Sequence, residues 1–430
     1  MAYRVAFYTL GCKVNQYDTQ TLKEDFAARG CEIVNFAAVA DAYIINTCTV
    51  TQTADAKGRK VISAARHRNP QAVVAVCGCY AEAAREEVQR LPGVAVVVGT
   101  HDRARLPDLV LAELQRRQTA PQSALLPSQG EVQSIYPRPR ALLKVQDGCN
   151  HVCSFCIVPR VRGRQRSRPL PEVVAEARRR VAHGARELVL TGVRLGAYGQ
   201  DWPERRSSRF QPLIDLLYAL HEIENLARLR LSSLLPLDVS PRLLEAMAAL
   251  PKVCPHLHLP LQSGDEEVLR RMRRGYRPAR FAEIVEQART LMPDLALTTD
   301  VLVGFPGETE EQFQHTYDFC RRMRFSRMHI FKYSPRPGTE AAALPDQIPP
   351  AEKERRSRSL HALRDELALA FHQQFVGRRV EVLMETVADG WARGLTPHYV
   401  RVLVPHAEPN TFVRVRVTEA ETTGVRGIVE

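Results

Sequence analysis

Three cysteines in the stretch Cys149-Asn-His-Val-Cys153-Ser-Phe-Cys156 stand close enough in sequence for three thiolates to converge on one metal centre. Cubane iron–sulfur clusters have four irons held by thiolates, so a loop supplying three leaves one iron open for chemistry. The competing reading is a structural zinc knot with His151 as a fourth ligand. Zinc sites of that kind are usually built from paired Cys-x-x-Cys units, and no second pair lies nearby. A second set is scattered: Leu10-Gly11-Cys12, Asn46-Thr47-Cys48 and Gly78-Cys79 each follow a short apolar run at once. If those runs are neighbouring parallel strands, their carboxyl-end loops share one sheet edge, and Cys12, Cys48 and Cys79 meet there as a second three-thiolate site. Taken singly, each is as well explained as a small buried hydrophobe. Cys77 would share the face of Cys79 if its strand continued, which makes it a substitute ligand. Cys31, Cys254 and Cys320 have no comparable setting and read as structural.

The elements that must position these thiols follow from the pattern. Up to about residue 118, strand-like runs at 4–10, 41–46 and 72–76 alternate with helical stretches, as in a parallel α/β unit. Residues 119–138 carry Pro, Gln and Ser without periodicity and read as a linker. From 139 to 374, six strand candidates (142–146, 187–190, 228–231, 256–261, 295–303 and 327–333) recur with helices between them, which favours a barrel or open parallel sheet with its site at the strands' carboxyl ends. Those ends are polar or glycine-rich: Thr191-Gly192, Ser232-Ser233, Gln262-Ser263-Gly264, Asp300 with Gly304-Phe-Pro-Gly-Glu308, and Tyr333-Ser334. Singly they are turn formers; as a ring they suggest a cofactor site. A charged helix over 351–374 precedes short alternating strands at 379–383, 398–404, 411–417 and 424–430. The segment 375–430 therefore reads as a small β-barrel of OB-like type, with Arg378, Arg379, Arg393, Arg401, Arg414, Arg416, Trp391 and Tyr399 suited to RNA. A purely structural β domain is the alternative.

The 430 residues are 45% apolar and 25% charged, ordinary for a multidomain globular chain. Met1 runs directly into the first strand and no apolar run approaches membrane-spanning length, so a cytoplasmic protein without membrane contact is expected. Ten cysteines in that compartment stay reduced and serve as ligands sooner than as disulfides. The net charge of +12 suits a polyanionic partner. Arg160, Arg162, Arg164, Arg166 and Arg168 form a basic run beside the cysteine loop, and Arg270 to Arg274 adds another. Such runs neutralise phosphate, although a solvated surface accounts for many of them.

Together these motifs resemble the methylthiotransferases of the radical S-adenosylmethionine superfamily, over nearly the whole chain. Within that family, Leu10-Gly-Cys-Lys-Val-Asn-Gln-Tyr-Asp18 is similar to the branch modifying N6-threonylcarbamoyladenosine in tRNA. The isopentenyladenosine branch usually has Gly-Cys-Gln-Met-Asn and the ribosomal-protein branch Gly-Cys-Pro-Lys-Asn. Asn46-Thr-Cys-Thr-Val-Thr51, Leu190-Thr-Gly-Val193, His258-Leu-Pro-Leu-Gln-Ser-Gly264, Asp300-Val-Leu-Val-Gly-Phe-Pro-Gly-Glu308 and Tyr333-Ser-Pro-Arg-Pro-Gly-Thr339 support the resemblance.

The resemblance implies an α/β multidomain fold: an N-terminal parallel α/β domain, a partial (β/α)6 radical barrel and a C-terminal TRAM barrel. It implies two [4Fe-4S] clusters, one on Cys149, Cys153 and Cys156 with Phe155 packing beside it, the other on Cys12, Cys48 and Cys79. Two molecules of S-adenosyl-L-methionine are consumed per product, with Thr191, Gly192, Ser233, Gln262 and Asp300 as candidate cofactor contacts. The implied partners are a tRNA anticodon loop, gripped by Arg160, Arg162, Arg164, Arg166, Arg168, Arg379, Trp391 and Arg414, and an electron donor such as flavodoxin or ferredoxin. Two positions depart from the family's pattern: Leu235 stands where an acidic residue is common, and Arg194 where Asp or Asn often follows the valine. The rival readings are the same chemistry on isopentenyladenosine tRNA or a ribosomal protein and, further off, a non-catalytic iron–sulfur RNA-binding protein.

Overall fold

The computed structural model describes residues 2–117, 139–203 and 211–430; the linker reading over 119–138 lies outside them. The N-terminal part is a five-stranded parallel sheet in the order β2 (Glu32–Val34), β1 (Arg4–Thr9), β3 (Ala42–Thr47), β4 (Val73–Gly78), β5 (Val94–Val98). Both faces are covered by helices, so β3 and β4 are buried at every position and read as continuous apolar runs. Alternate residues divide between two cores: Val73, Ala75 and Cys77 enter one, Val74 and Val76 the other.

The middle part carries six parallel strands in two sets of three. β6 (Arg140–Lys144), β9 (Glu187–Thr191) and β10 (Arg228–Leu231) form one; β11 (His256–His258), β12 (Ala296–Val303) and β13 (Arg327–Lys332) the other. The two-stranded pair β7 (Gln146–Asp147) and β8 (Arg166–Ser167) brackets the cysteine loop. A parallel bridge from Ser233 to His258 joins the two sets, giving the partial (β/α)6 barrel expected from the six strand signals. Its largest core lies between strands and outer helices and includes Leu190, Leu231, Phe281, Val301 and Leu360.

The C-terminal strands β14 (Arg379–Ala388), β15 (Trp391–Leu395), β16 (Arg401–Pro405), β17 (Phe412–Glu421) and β18 (Gly424–Val429) close into a barrel in the order β14-β15-β16-β18-β17. β15 is a fifth strand absent from the sequence reading. Its alternation is real, with Trp391 and Arg393 outward and Ala392 and Gly394 inward, but its inward residues are too small to signal a buried face. Gly394 has to be small, because a Cβ there would stand 2.5 Å from the Leu383 carbonyl.

Buried arginines fasten this barrel to the middle part. Arg230 forks onto Glu187 at 2.7 and 3.2 Å and donates to the carbonyls of Pro397 and Thr396. Arg228 donates to the Leu395 and Glu381 carbonyls. Tyr399, read from sequence as an RNA-facing aromatic, packs here, its ring 4.9 Å from His256 and 4.8 Å from the Arg230 guanidinium. Burial lowers the pKa of His256, His372 and His398 at or beside this junction. Below about pH 6.5 the unfolded chain takes up protons that the folded one refuses, so stability falls as pH drops toward the folded values. Anaerobic urea unfolding should therefore show a lower midpoint at pH 5.5 than at pH 7.5. Asp147 and Glu187, held below the usual carboxylate range by ion pairs that outweigh their burial, do not titrate in that window.

Candidate active site

The scattered cysteines sit where three adjacent strands end. Cys12 caps the helix Lys13–Ala28 after β1, Cys48 follows β3, and Cys79 opens the helix Cys79–Ala83 after β4. Gly11 (φ +97°) brings its loop so close to Cys48 that an added Cβ would lie 2.9 Å from the Cys48 Sγ. Asn15 ties the loops together by donating to the carbonyls of Leu10 and Thr47 at 2.8 and 2.9 Å. Gly78 (φ +91°) turns the chain between strand and helix, and a Cβ there would meet the Asn46 Oδ1 at 2.3 Å and the Thr47 carbonyl at 2.5 Å. Gly78→Ala is therefore expected to cost about 1–3 kcal/mol and to lower iron retained after anaerobic reconstitution, read by iron assay. The same turn ends the strand, so Cys77 stays in the apolar core beside Val5, Phe7 and Leu22 and is not a substitute for Cys79.

The clustered cysteines occupy the loop between β7 and the helix Val158–Arg162. Gly148 (φ +69°) passes so near the Arg164 backbone that no Cβ fits, and the Cys149 amide donates to the Gly163 carbonyl at 3.1 Å. Ser154 is pinned by its amide to the Met272 carbonyl and by its hydroxyl to the Arg271 carbonyl. Phe155 anchors the loop in an apolar pocket with Met272, Leu302, Phe305 and Tyr333. Arg274, read from sequence as part of a surface run, is buried and donates to the Cys153 Sγ at 3.3 Å. Burial pushes Cys153 up, but His151 and Arg274 outweigh it and the thiol is lowered. Cys79 and Cys156 are pushed up to about 12 by burial, Cys48 and Cys149 in the same direction. Such thiols are poor free nucleophiles and become thiolates on binding metal.

All ten cysteines are free thiols. Among the described residues, no three Cys, His, Asp or Glu side chains close around one point as a single ion requires. A four-iron cluster is held by thiolates at separate corners and does not ask for that closure. The donor set, two triads of free thiols, fits such a cluster at each place; in the second loop the His151 ring lies beside Cys153 with its Nε2 buried and without a hydrogen-bond partner among the described residues.

The two cysteine-bearing parts pack together next to Cys79. Cys79 packs on Ile157 and Val161, which directly follow Cys156, and the Thr100 hydroxyl donates to the Val161 carbonyl at 2.5 Å. At this contact Arg162, 2% exposed, is hydrogen-bonded to Asp147 at 3.0 and 3.1 Å, to Asp18 at 3.0 Å and to the Asn15 side-chain oxygen. Lys144 joins the network at 2.6 Å from Asp18 and 3.0 Å from Asp147, and Arg103 at 3.0 Å from Asp18. Arg168 donates to Glu176, the Tyr17 hydroxyl and the Lys144 carbonyl. Arg162 thus belongs to the interior, where an RNA phosphate does not reach it, while Arg168 is part-buried with 28% of its side chain exposed. Arg164 and Arg166 are exposed beside the loop, as is Arg160, which lies against Pro337. On the far barrel Arg379 pairs with Glu430, Arg414 is exposed, and Trp391 lies under the Arg426 guanidinium. Arg336, in the Tyr333–Thr339 motif, reaches across to Thr49 and Asp55 at 2.6 Å and so clamps the Cys48 loop.

The polar strand ends line the lumen opposite. Thr191 ends β9 and Gly192 follows it; Gly192 is packed so tightly that a Cβ would lie 2.9 Å from the Gln146 Oε1. Ser233 follows β10, and Gln262 (φ +67°) bridges to Val301. Asp300 lies inside β12 and not at its end, 3.3 Å from the His258 Nε2. The two unusual positions are explained together: Arg194 forks onto Asp238 at 2.6 and 2.9 Å, three residues beyond Leu235. A carboxylate therefore stands beside the Cys149 loop, supplied from another position. Gln146, Arg274 and Asp238 were not legible as site residues; their partners are 48, 121 and 44 positions away.

Residues 143–320 match the family described as the radical SAM superfamily and residues 4–99 the uncharacterized protein family UPF0004. The chain is 38% identical, over 97% of its length and 94% of the relative's, to the threonylcarbamoyladenosine tRNA methylthiotransferase MtaB of Bacillus subtilis (strain 168). It is 41% identical, over 88% of its length and 75% of the relative's, to the tRNA-2-methylthio-N(6)-dimethylallyladenosine synthase of Mycolicibacterium paratuberculosis (strain ATCC BAA-968 / K-10). The structure of the radical S-adenosylmethionine methyltransferase TsrM from Kitasatospora setae, with cobalamin and a [4Fe-4S] cluster bound, superposes with a TM-score of 0.56 at 15% identity, covering 91% of this chain and 81% of that one. That likeness speaks to fold alone. No helix among the described residues is long and apolar enough to cross a membrane.

Proposed function

Because the chain belongs to the MtaB-type methylthiotransferase family of radical S-adenosylmethionine proteins, we propose that it adds a methylthio group to C2 of N6-threonylcarbamoyladenosine beside the tRNA anticodon. The observation that carries this reading is the pair of free-thiol triads on two packed parts of the molecule, with Cys79 against Ile157 and Val161 just after Cys156, in a chain matching the threonylcarbamoyladenosine relative almost end to end. Residues 1–118 form the auxiliary domain, 139–374 the radical domain and 375–430 the RNA-binding domain.

Cys149, Cys153 and Cys156 would hold one [4Fe-4S] cluster and Cys12, Cys48 and Cys79 a second. So loaded, with two molecules of S-adenosylmethionine per turnover, the site supplies one-electron cleavage of the sulfonium, hydrogen removal from adenine C2, and the sulfur and methyl that replace it. The protein's own work is positional. Arg274 holds the Cys153 sulfur, Phe155 fixes the loop, and Arg162 ties the segment after that loop to Asp18 on the N-terminal helix. Thr191, Gly192, Ser233, Gln262 and Asp300 line the lumen where the cofactor's polar groups need partners. Arg160, Arg164, Arg166, Arg379, Trp391 and Arg414 are the exposed groups for an anticodon stem-loop, whose splayed base enters the lumen. A cytoplasmic flavodoxin or ferredoxin would supply the electron.

Anaerobically reconstituted protein, given one tRNA bearing threonylcarbamoyladenosine and one bearing dimethylallyladenosine, tests the reading by nucleoside mass spectrometry. A 2-methylthio product on the first supports it. Product on the second alone transfers the assignment to the dimethylallyl branch, and 5′-deoxyadenosine without product on either moves the search to protein substrates.

A further inference from the structure

Four arginines crowd the end of the helix Glu266–Arg271 and the turn after it, and three of them have ordinary partners. Arg270 forks onto Glu267 at 2.6 and 2.7 Å and Arg273 reaches Glu340 at 2.8 Å, both pairs at the surface. Arg271 donates to the carbonyls of Pro306 and Gly307 at 2.8 and 3.3 Å. Arg274 differs from all three. It is 5% exposed, it has no carboxylate partner among the described residues, and its Nε is buried without a hydrogen-bond partner. Its two terminal nitrogens donate to the Cys153 Sγ and to the Pro260 carbonyl, each at 3.3 Å.

A buried guanidinium is tolerated where an anion faces it, and the group within reach that can carry negative charge is the Cys153 sulfur. The Tyr276 hydroxyl, the other acid nearby, donates to the carbonyls of Pro260 and Leu261 at 3.0 and 2.7 Å and so keeps its proton. The turn also holds the contact in place. Arg273 and Gly275, on either side of Arg274, take φ of +55° and +73°, and the Arg274 amide returns to the Leu269 carbonyl at 3.0 Å. From the same turn the Met272 and Arg271 carbonyls accept the amide and hydroxyl of Ser154, the residue after Cys153, at 3.1 and 2.8 Å. The charge is therefore fixed against one sulfur by bonds on both sides of it.

We infer that Arg274 sets the reduction potential of the centre held by Cys149, Cys153 and Cys156, making it easier to reduce. This rests on the reading above that these three thiolates hold a four-iron cluster. Three thiolates outweigh the positive charge of such a core, so the loaded loop is anionic, and an electron from an outside one-electron donor adds to that charge with no bond made or broken. A fixed guanidinium on a ligand sulfur stabilises the more negative state more than the less negative one, and hydrogen bonds to cluster sulfurs are among the features that set these potentials. Arg274 acts through the sulfur and touches no substrate. Were it only a brace for the loop, its loss would change stability and iron content and leave the potential alone.

The test uses the full-length holoenzyme, reconstituted anaerobically and poised at graded potentials, with the reduced centre read by electron paramagnetic resonance. The signal that S-adenosylmethionine perturbs belongs to the centre in this loop. In Arg274→Met that centre should be about tenfold harder to reduce, the worth of one hydrogen bond to a charged group, which is a shift of about 59 mV to lower potential for one electron. Arg274→Lys keeps a charge without the fork and should fall between the two. Arg273→Gln removes the same formal charge at an exposed site and should leave the potential where it is. The inference is overturned if Arg274→Met, carrying the parent's iron, keeps the parent's potential, or if Arg273→Gln shifts it equally. Should Arg274→Met take up no iron in this loop, Arg274→Gln, neutral but polar, decides by the same measurement. If no signal of the parent protein responds to S-adenosylmethionine, the cluster reading falls and this inference with it, a failure distinct from an unmoved potential.

Discussion

Cys156→Ala is expected to cut 5′-deoxyadenosine formation on reduction by more than about 100-fold, the upper cost of losing a mere outer-shell partner of a metal ligand. Cys79→Ala is expected to remove the methylthio product while 5′-deoxyadenosine is still formed. Each variant should bind about half the iron of the parent protein. The asymmetry follows from placement: Cys156 shares the loop that Arg274 and Phe155 fix at the mouth of the lumen, whereas Cys79 begins a helix on the other sheet, reaching that loop only through Ile157 and Val161. Chromatographic quantification of 5′-deoxyadenosine beside nucleoside mass spectrometry separates the outcomes. Equal loss of both products in both variants would mean that the triads act as one centre.

Arg162→Met is expected to destabilise the protein by about 3–5 kcal/mol, the usual consequence of removing one member of a buried charge network. The guanidinium serves Asp147, Asp18 and Asn15 at once. Without it the buried Asp18 keeps Lys144 and Arg103 and the part-buried Asp147 keeps only Lys144, and the segment after Cys156 loses its bonds to the N-terminal helix. Arg162→Lys keeps the charge but not the fork, so it should recover only part of the loss. Anaerobic urea unfolding measures both, and combining Arg162→Met with Asp147→Asn gives the coupling energy directly. A change below about 0.5 kcal/mol, typical of surface substitutions, would place Arg162 at the surface after all.

How much of this was legible in the sequence depended on the range of the interaction. The six middle strands and the cysteine-bearing strand ends of the N-terminal sheet are local patterns, apolar runs punctuated by glycine and polar turns, and they appear where expected. The fate of Cys77 turned on one backbone angle, since the positive φ of Gly78 ends the strand that would have carried it round. The basic runs were opaque for a different reason. Arg162 and Arg164 are two residues apart in the same basic run, yet one is interior and the other exposed, and the difference is made by Asp18, 144 positions earlier. Arg274 was concealed in the same way, in a run whose Arg270 and Arg273 do face solvent.

The clamp of Arg336 on Asp55 has a consequence in time. The two residues are 281 positions apart, and ribosomes extend chains at about 5–20 residues per second. The loop bearing Cys48 therefore spends roughly 15 to 60 seconds of synthesis without the segment that later covers it. From the completion of β5 at Val98 onward, the N-terminal sheet, whose strands pair only among themselves, has all its strands while its Cys48 loop still waits for that clamp. The Cys48 loop is thus the last of the three to be fastened, after Ile157 and Val161 are already available to cover Cys79.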